Sequence, residues 1–339
     1  MTMQLAVGVA KPGQGTTIVY FPTFSQLLMK RISLLVFLLL AFGILHAQTL
    51  DWSQAEELYP GICHLKIDRK VIASEDAELL LKGNVMRIDL TTPGLHFTST
   101  ARDSGWGKPM PDHTPANGQP CIIRTRRQTT PDFLKECRKP VEQGGRALNM
   151  VVAFNASPWI PWERPFLHIY AEPLGVNISD GVVIAENSRT KAHFVVWNNG
   201  QVELLDEVPA TDKYPEIWLS AGGFDIILKD GKPTPVCETN RSRHPRTAFG
   251  LSASHQYLYV LTVDGRQPNW SHGATYQDLN ALLLEAGACE AINMDGGGST
   301  TLCYWDQTKQ QPVVLSHATS QDKAYRPNGF NVGIYFTPH

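Results

Sequence analysis

Short apolar runs separated by turn-forming residues dominate the second half of the chain. Six of these runs have the length and the apolar content of strands: MVVAF, GVVIA, AHFVVW, QVELL, IWLSA and FDIIL. Between them stand NISDG, NNG and KDG, whose Asn, Asp and Gly residues readily adopt the positive φ angles of tight turns. The pattern predicts a β-rich domain with tight connections.

A hairpin is predicted where the runs RTAFGLS and QYLYVLTV follow one another across a short polar turn. A turn of this length places Arg246 roughly opposite Val263, the residue before Asp264. The polar residues at this end of the hairpin are therefore expected to lie close together.

A helix is predicted after the hairpin, over TYQDLNALLLEAG. Thr275 and Asp278 have the spacing of a capping box, and Gly287 is a suitable C-terminal stop. One face of this helix carries its apolar residues, namely Tyr276, Leu279, Leu282, Leu283 and Ala286. The next run, EAINM, predicts a strand, so we expect a strand–helix–strand unit with parallel strands and a right-handed crossover.

Acidic residues follow the carboxyl ends of both strands of this unit. Asp264 follows the first strand and Asp295 the second, so both are expected on one sheet edge, one or two strand spacings of about 4.8 Å apart. Together with Arg246 and Arg266 they form a predicted polar rim, at the edge where α/β proteins usually bind ligands.

The region 48–143 has weaker patterns. Its run LLLKGNVMRIDLTTPGLHFTST alternates like strands, and Pro131–Lys139 is predicted as a short helix capped by Thr130. We therefore predict an α+β fold. It consists of a mixed, β-rich sheet domain over 144–339, whose strand–helix–strand unit carries the DGGGS loop, preceded by a β-containing extension over 48–143.

An apolar run of fourteen residues, Ile32–Leu45, follows two basic residues near the N-terminus. It is shorter than the roughly 18 residues that span a bilayer and suits the core of a secretory signal, with Ala47 at the cleavage site. We predict that 1–47 is an N-terminal extension and signal peptide whose true start is Met29. The mature chain, from Gln48, is expected to be secreted or periplasmic and to keep no membrane span.

Charge and cysteine spacing exclude several classes of protein. Lys and Arg number 30 against 32 Asp and Glu, a formal charge of -2, so no basic excess points to nucleic acid. The six cysteines have irregular spacing and no CxxC pair, which argues against a zinc site. Disulfides and buried free thiols both remain open. We predict no metal and no cofactor.

The most distinctive string is NMDGGGST, Asn293–Thr300. Three consecutive glycines let backbone amides approach a ligand and form a concavity that accepts anions. The string lacks the GxxxxGK spacing of an ATP phosphate loop, and Ser299 lacks the flanking glycine of a G-x-S-x-G elbow. The alternative is a structural turn in which Asp295 bonds its own backbone.

Two stretches, RTAFGLSASHQYLYVLTVDGR and GATYQDLNALLLEAGACEAINMDGGGST, resemble the core of the phosphodiester glycosidase family. Four further segments resemble the family in order: AFNASPW, PLGVNISDGVVI, SAGGFDIILKDGKP and RPNGFNVGIYF. The resemblance covers roughly 149–336. The chain departs from the family pattern at Asn155-Ala156-Ser157, where the family has Asn-Gly-Gly, and at Tyr276, where an apolar residue is common.

The resemblance implies a hydrolase that cleaves between the anomeric carbon of a sugar and a bridging phosphate. With the predicted signal peptide, we expect an exported enzyme that acts on glycans or envelope polysaccharides. Such a reaction needs a carboxylate near the anomeric carbon, with cations and amides around the phosphate. The implied catalytic residues are Asp295, as nucleophile or base, and Asp264, which would orient an arginine, bond a sugar hydroxyl or act as the second carboxylate. The implied substrate-binding residues are Arg246, Arg266, Asn155, Gly296, Gly297, Gly298, Ser299 and Thr300.

Two other functions stay open. The altered Asn-Ala-Ser segment is compatible with a non-catalytic carbohydrate-binding envelope protein on the same scaffold. A hydrolase whose water attacks phosphorus rather than carbon is the third reading. The expected partner in the enzyme readings is a phosphodiester-linked carbohydrate, and nucleic acid is not expected.

Overall fold

The computed structural model describes residues 49–74, 77–111, 113, 118, 120–163, 168–319 and 325–337. The predicted signal peptide and the proposed start at Met29 lie outside these residues. Strands make up most of the regular structure, as the apolar runs predicted. In the described part of the chain, no helix is long and apolar enough to cross a membrane.

The strands are numbered along the chain. Those before residue 150 are β1 (Glu56–Tyr59), β2 (Ile62–Ser74), β3 (Ala77–Asp89), β4 (Leu95–Ser99) and β5 (Thr125–Arg126). The next group is β6 (Met150–Asn155), β7 (Trp159–Ile160), β8 (Tyr170–Pro173), β9 (Asn177–Ser179), β10 (Val182–Ala185), β11 (Ala192–Trp197), β12 (Val202–Leu205) and β13 (Ile217–Gly223). The last group is β14 (Asp225–Lys229), β15 (Lys232–Pro233), β16 (Arg246–Leu251), β17 (Tyr257–Val263), β18 (Glu290–Asn293), β19 (Leu302–Asp306), β20 (Gln311–Val314) and β21 (Asn331–Phe336). The helices are α1 (Thr130–Arg138), α2 (Val236–Thr239) and α3 (Tyr276–Ala286).

An eight-stranded sheet carries the strand–helix–strand unit, with the order β1-β2-β3-β17-β16-β18-β14-β15. Strand β16 pairs antiparallel with both β17 and β18, so these two strands run parallel to each other with one strand between them, as predicted. The prediction of a mixed sheet is wrong, because every pair of neighbouring strands recorded in the described residues is antiparallel. Strand β16 lies between β17 and β18 and pairs with both, so these two parallel strands form no hydrogen bonds with each other.

The predicted hairpin register is confirmed. Arg246 pairs with Val263, and on its other side β16 aligns Ala248 with Asn293. This register brings the ends of three strands, and the residues that follow β17 and β18, to one edge of the sheet.

Helix α3 also has the predicted ends. The Thr275 hydroxyl accepts a hydrogen bond from the Asp278 amide, and the Asp278 carboxylate accepts one from the Thr275 amide, which completes the capping box. Gly287 ends the helix with φ of 108°. Helix α1 begins one residue earlier than predicted, with Thr129 rather than Thr130 as its cap, because Pro131 fits the first turn of the helix.

The central sheet has an apolar core on each face. Along β16, Phe249 and Leu251 face the two five-stranded sheets, whereas Ala248 faces α3, as alternation along a strand requires. The five-stranded sheets have the orders β10-β9-β13-β11-β12 and β20-β19-β6-β21-β4. Phe154 and Phe194, one from each of these sheets, pack their rings 5.0 and 5.2 Å from that of Phe249.

Strands of the predicted N-terminal extension pair directly with strands of the C-terminal region. Strand β3 pairs along its length with β17, and β4 pairs with β21. The boundary near residue 143 remains a prediction. All six cysteines are unpaired thiols, and Cys137, Cys237 and Cys303 are buried.

Candidate active site

Asp295 lies directly after β18, at the start of the glycine loop. Its backbone amide donates to the Ala156 carbonyl at 2.9 Å, and a short 3-10 turn over Gly297–Ser299 follows. Carboxylate Oδ1 accepts a hydrogen bond from the Gly296 amide at 2.9 Å, so Asp295 does bond its own backbone. The residue is 2% exposed.

The second carboxylate oxygen belongs to a group of buried polar atoms. In the described residues, Oδ2 of Asp295 and the hydroxyl oxygens of Ser299 and Thr300 are buried and have no partner at full hydrogen-bond geometry, although the Ser299 side chain stands close enough to Asp295 to lower the pKa of its carboxyl. Buried polar atoms are rarely left in this state, so such a group calls for a ligand or water. Burial raises the pKa of Asp295 to about 7, although nearby Ser299, the Gly296 amide and the charge of Arg326 act to lower it.

Asn155 forms hydrogen bonds with the backbone on both sides of the glycine loop. Its Nδ2 donates to the Asp295 carbonyl at 2.7 Å, and its Oδ1 accepts from the Thr247 hydroxyl at 2.8 Å and from the Thr301 amide at 2.9 Å. The side chain is fully buried. These contacts hold Asn155 against the glycine loop, and its predicted contact with sugar or phosphate stays a prediction.

Arg266 reaches the glycine loop, and its predicted contact with phosphate stays a prediction. Arg266 has φ of 59°, in the left-handed region. A Cβ added to Gly297 would lie 3.2 Å from Nη1 of Arg266, and Gly297 itself has φ of 62°. The guanidinium group therefore lies against the loop at a place where only glycine fits without strain.

The loop amides are less available than predicted. The Gly296 amide donates to Oδ1 of Asp295, and the Gly297 amide donates to the Pro245 carbonyl at 2.8 Å. Gly298 is the one member of the triplet for which no amide bond is recorded among the described residues. Two of the three amides thus hold the loop in shape, and Gly298 is the candidate for an anion.

Two further residues near the loop, His244 and Arg326, were not predicted as site residues. Nη2 of Arg266 lies 3.3 Å from Nδ1 of His244, and because a guanidinium only donates, this nitrogen of His244 accepts. Burial and the charges of Arg266 and Arg246 lower the pKa of His244. Arg326 contributes a positive charge that acts on Asp295. His244 belongs to no quoted motif, whereas Arg326 begins the RPNGFNVGIYF segment, whose resemblance to the family was the available signal.

The recorded hydrogen bonds of the Arg246 side chain are with the backbone and side chains next to β16 and α3, although its charge still acts on His244. Its Nη2 donates to the Ser242 carbonyl at 3.0 Å and to Oδ1 of Asn240 at 3.3 Å, and the guanidinium lies 4.7 Å from the Tyr276 ring. The Tyr276 hydroxyl in turn donates to Asp225 at 2.9 Å. The register of Arg246 was predicted correctly, but strand alternation turns the side chain toward α3, whereas the next residue bonds Asn155.

Asp264 anchors two loops. Oδ1 accepts from the His317 amide at 2.8 Å, and Oδ2 accepts from Nε1 of Trp270 at 2.9 Å. Burial raises the pKa of Asp264, and these two hydrogen bonds oppose the rise. Each carboxylate oxygen accepts one of these bonds and can accept a second, so the predicted roles of second carboxylate, partner of an arginine or ligand of a sugar hydroxyl stay predictions.

Aromatic side chains stand beside the segment that follows Asn155. The rings of Trp159 and Trp162 stack with centroids 5.8 Å apart, and Arg127 lies 4.3 Å from the Trp159 ring. Trp162 is 45% exposed, and the Arg326 guanidinium is 5.7 Å from its ring. Arg326 thus lies beside the exposed ring of Trp162, and its charge also acts on the buried carboxyl of Asp295. Within the described ranges, no group of three His, Cys, Asp or Glu side chains could hold a metal ion.

One protein family matches the region that contains the glycine loop. The model of the family described as Phosphodiester glycosidase matches residues 150–335, which is more than half of the chain. The chain belongs to this family. The resemblance of its motifs to phosphodiester glycosidases is thereby confirmed, and Asn155, Arg266 and Asp295 all fall inside the matched region.

Two other proteins are similar to this chain, one in structure and one in sequence. The catalytic domain of zebrafish N-acetylglucosamine-1-phosphodiester alpha-N-acetylglucosaminidase, solved as auto-inhibited by its pro-peptide, is similar in structure. Its TM-score is 0.56 at 15% identity, over 84% of this chain and 87% of that chain, which shows a shared fold. The SPbeta prophage-derived uncharacterized protein YomE of Bacillus subtilis (strain 168) is 32% identical over 179 residues, 48% of this chain. That match spans only 26% of the length of YomE.

Proposed function

We propose that the protein is an exported hydrolase that cleaves sugar-1-phosphodiester bonds in glycans or envelope polysaccharides. The observation that carries the proposal is the group of buried atoms around Asp295. In the part of the chain that the structure describes, its Oδ2 and the hydroxyls of Ser299 and Thr300 have no partner at full hydrogen-bond geometry, beside a loop against which Arg266 lies. A substrate with a sugar hydroxyl and a phosphate would supply the missing partners. Export rests on the predicted signal peptide.

Arg266 is the proposed phosphate ligand. Its guanidinium presents forked donors that match two phosphate oxygens, and the Gly298 amide and the hydroxyls of Ser299 and Thr300 add further donors. His244 accepts a hydrogen bond from Arg266 and so orients the guanidinium. This arrangement stabilises the negative charge that develops on the phosphate as it leaves.

Asp295 is the proposed catalytic carboxylate. In the hydrolysis, the bond from the anomeric carbon to the phosphate oxygen breaks and the phosphate leaves as a monoester with the bonding electron pair. The oxygen of water becomes attached to that carbon, and the proton that this water loses passes to a carboxylate, Asp295 when it acts as the base, and from there to solvent. Because the leaving group departs as an anion, it has little need of a proton, and the demand falls on a nucleophile or base. A pKa of about 7 leaves a substantial fraction of Asp295 ionised at neutral pH, as this role requires.

Three of the predicted site residues take positioning roles in this proposal. Asn155 holds the backbone of Asp295, and Asp264 holds the loops that carry Trp270 and His317. Arg246 holds the segment before β16 through the Ser242 carbonyl. The exposed Trp162 offers a ring face on which a sugar can stack, next to the charge of Arg326.

Hydrolysis in water enriched in ¹⁸O tests the proposal. The first substrate is an N-acetylglucosamine-1-phosphodiester, since the zebrafish relative is named for that bond, and the panel extends to other sugar-1-phosphodiesters. Mass spectrometry of both products should find the label in the sugar. Label in the phosphate would show attack at phosphorus. No release from any substrate, by protein shown to be folded, would favour the non-catalytic carbohydrate-binding protein.

A further inference from the structure

A concave site lies at the other end of the central sheet from Asp295. It is a groove of about 800 Å³, and Ser254 and His255, in the turn between β16 and β17, form part of its wall. His255 lies 3.7 Å from Glu290, the first residue of β18, whereas Asp295 follows the last residue of that strand. The groove is therefore separate from the proposed active site.

Aromatic rings form much of the wall of this groove. Trp197 at the end of β11 and Trp218 in β13 line it, together with His96 of β4 and Tyr335 of β21. The rings of His96 and Tyr335 stack with centroids 5.5 Å apart and an interplanar angle of 26°. Nε1 of Trp197 is buried and has no hydrogen-bond partner among the described residues. Such a donor is normally satisfied in a native protein.

The edge of the groove carries exposed amides, supplied by the predicted NNG turn. Gly200 has φ of 86°, which closes the turn, and the Asn199 side chain donates to Oε1 of Gln201 at 2.8 Å. Both amide side chains line the groove. Amides offer a donor and an acceptor in one group, which suits hydroxyl ligands.

The charges of the groove differ from those around Asp295. Its described lining contains Glu203 and two histidines but neither lysine nor arginine. A phosphate ligand would require cationic donors, as Arg266 provides at the glycine loop. The groove has a volume typical of small-molecule sites, and it is lined by aromatic faces and amides. These features fit an uncharged ligand with many hydroxyl groups.

We propose that this groove binds a neutral saccharide segment, remote from the bond that the active site cleaves. Sugar rings would lie on the aromatic faces, and their hydroxyls would bond the amides of Asn199 and Gln201 and the indole N–H of Trp197. The groove would retain a glycan on the protein independently of hydrolysis. The proposal extends the proposed function, since it assumes a glycan partner, but its binding test requires no turnover.

Affinity electrophoresis tests the groove with four neutral probes: dextran, hydroxyethyl cellulose, glycogen and galactomannan, each cast in a native gel. The wild-type protein should be retarded in at least one gel. His96→Ala removes an exposed ring, and Trp197→Phe removes the indole N–H, so each should raise the apparent Kd about tenfold. Val141→Ala, an exposed apolar change outside the groove, should migrate like the wild type.

Asp295→Asn separates this proposal from the proposed function. It should abolish turnover and leave retardation unchanged, and failure of hydrolysis would not alter the gel result. Folding of each variant is checked by thermal unfolding, and two independent groove variants guard against a misfolded one. No retardation of folded wild-type protein in any gel, retardation that both groove variants keep, or retardation lost in Asp295→Asn would each overturn the proposal.

Discussion

The side-chain amide of Asn155 donates a 2.7 Å hydrogen bond to the backbone carbonyl of Asp295, across 140 positions of sequence. The same side chain accepts from Thr247 in β16 and from the backbone of Thr301. One buried asparagine thus fixes the glycine loop to strands β6 and β16, and it sets where the Asp295 carboxylate stands.

Asn155→Ala should destabilise the protein by about 3 kcal/mol, because it leaves the Thr301 amide, the Thr247 hydroxyl and the Asp295 carbonyl buried without their partner. Urea unfolding measures the change. Asn198→Ala is the control, since Asn198 is exposed and its side chain makes one recorded bond, to the Pro215 carbonyl; it should cost less than about 1 kcal/mol. Equal losses from the two variants would contradict the role of Asn155.

Gly297→Ala should lower turnover at least about tenfold, because the new Cβ would stand 3.2 Å from Nη1 of Arg266 and displace it. Gly231→Ala is a matched control. Gly231 also has a positive φ, of 69°, but an added Cβ there would meet no atom within 4 Å. Both variants should lose about 1–2 kcal/mol through backbone strain, and only Gly297→Ala should lose activity. Full activity in Gly297→Ala would refute the contact.

Arg266→Ala and Arg246→Ala should affect different properties: the first the KM for substrate, the second the stability of the fold. Arg266→Ala should raise KM for the phosphodiester by at least about tenfold, through loss of the forked phosphate contact. Arg246→Ala should cost about 2 kcal/mol of stability, because the Ser242 carbonyl and the Tyr276 ring lose a buried partner. Steady-state kinetics and thermal unfolding of both variants separate the two roles. The assignment fails if Arg246→Ala changes KM alone.

The pKa of Asp295 predicts how stability depends on pH. The carboxyl titrates near 7 in the folded protein and at its ordinary value of 3.8 in the unfolded chain, so between these values the folded state binds more protons. The stabilising contribution is full below about pH 4 and is lost as the pH rises through 7. Relative to Asp295→Asn, the wild type should therefore lose a few kcal/mol between pH 4.5 and 8. Urea unfolding at three pH values measures this difference. A difference that does not change with pH would exclude the raised pKa.

Local patterns in the sequence predicted much of the scaffold of the site. The register of Arg246 against Val263 and the capping box of Thr275 and Asp278 follow from neighbouring residues, and both are present. The parallel relation of β17 and β18 followed from the helix between them. The prediction of a mixed sheet was wrong because β16 pairs with β18 as well as with β17. The pairing of β16 with β18 joins segments that are distant in the sequence, so local patterns do not reveal it.

The side-chain contacts of the site were much harder to predict. Strand alternation turned Arg246 toward α3, but which layer covers each face of β16 depends on strands far away in the sequence. Likewise, the contact of Asn155 with Asp295 joins two distant segments. His244 belongs to no motif, and the RPNGFNVGIYF segment that begins with Arg326 does not show which residue Arg326 approaches, so these contacts emerge only after the chain has folded.

The central claim is that Asp295 is the catalytic carboxylate of a phosphodiester glycosidase. The most direct measurement is the release of free sugar and phosphate monoester from an N-acetylglucosamine-1-phosphodiester, by the wild type and by Asp295→Asn, with folding verified for both. The account predicts equal amounts of the two products from the wild type and a loss of at least about a thousandfold in kcat for the variant. A variant that keeps the wild-type rate would contradict the claim.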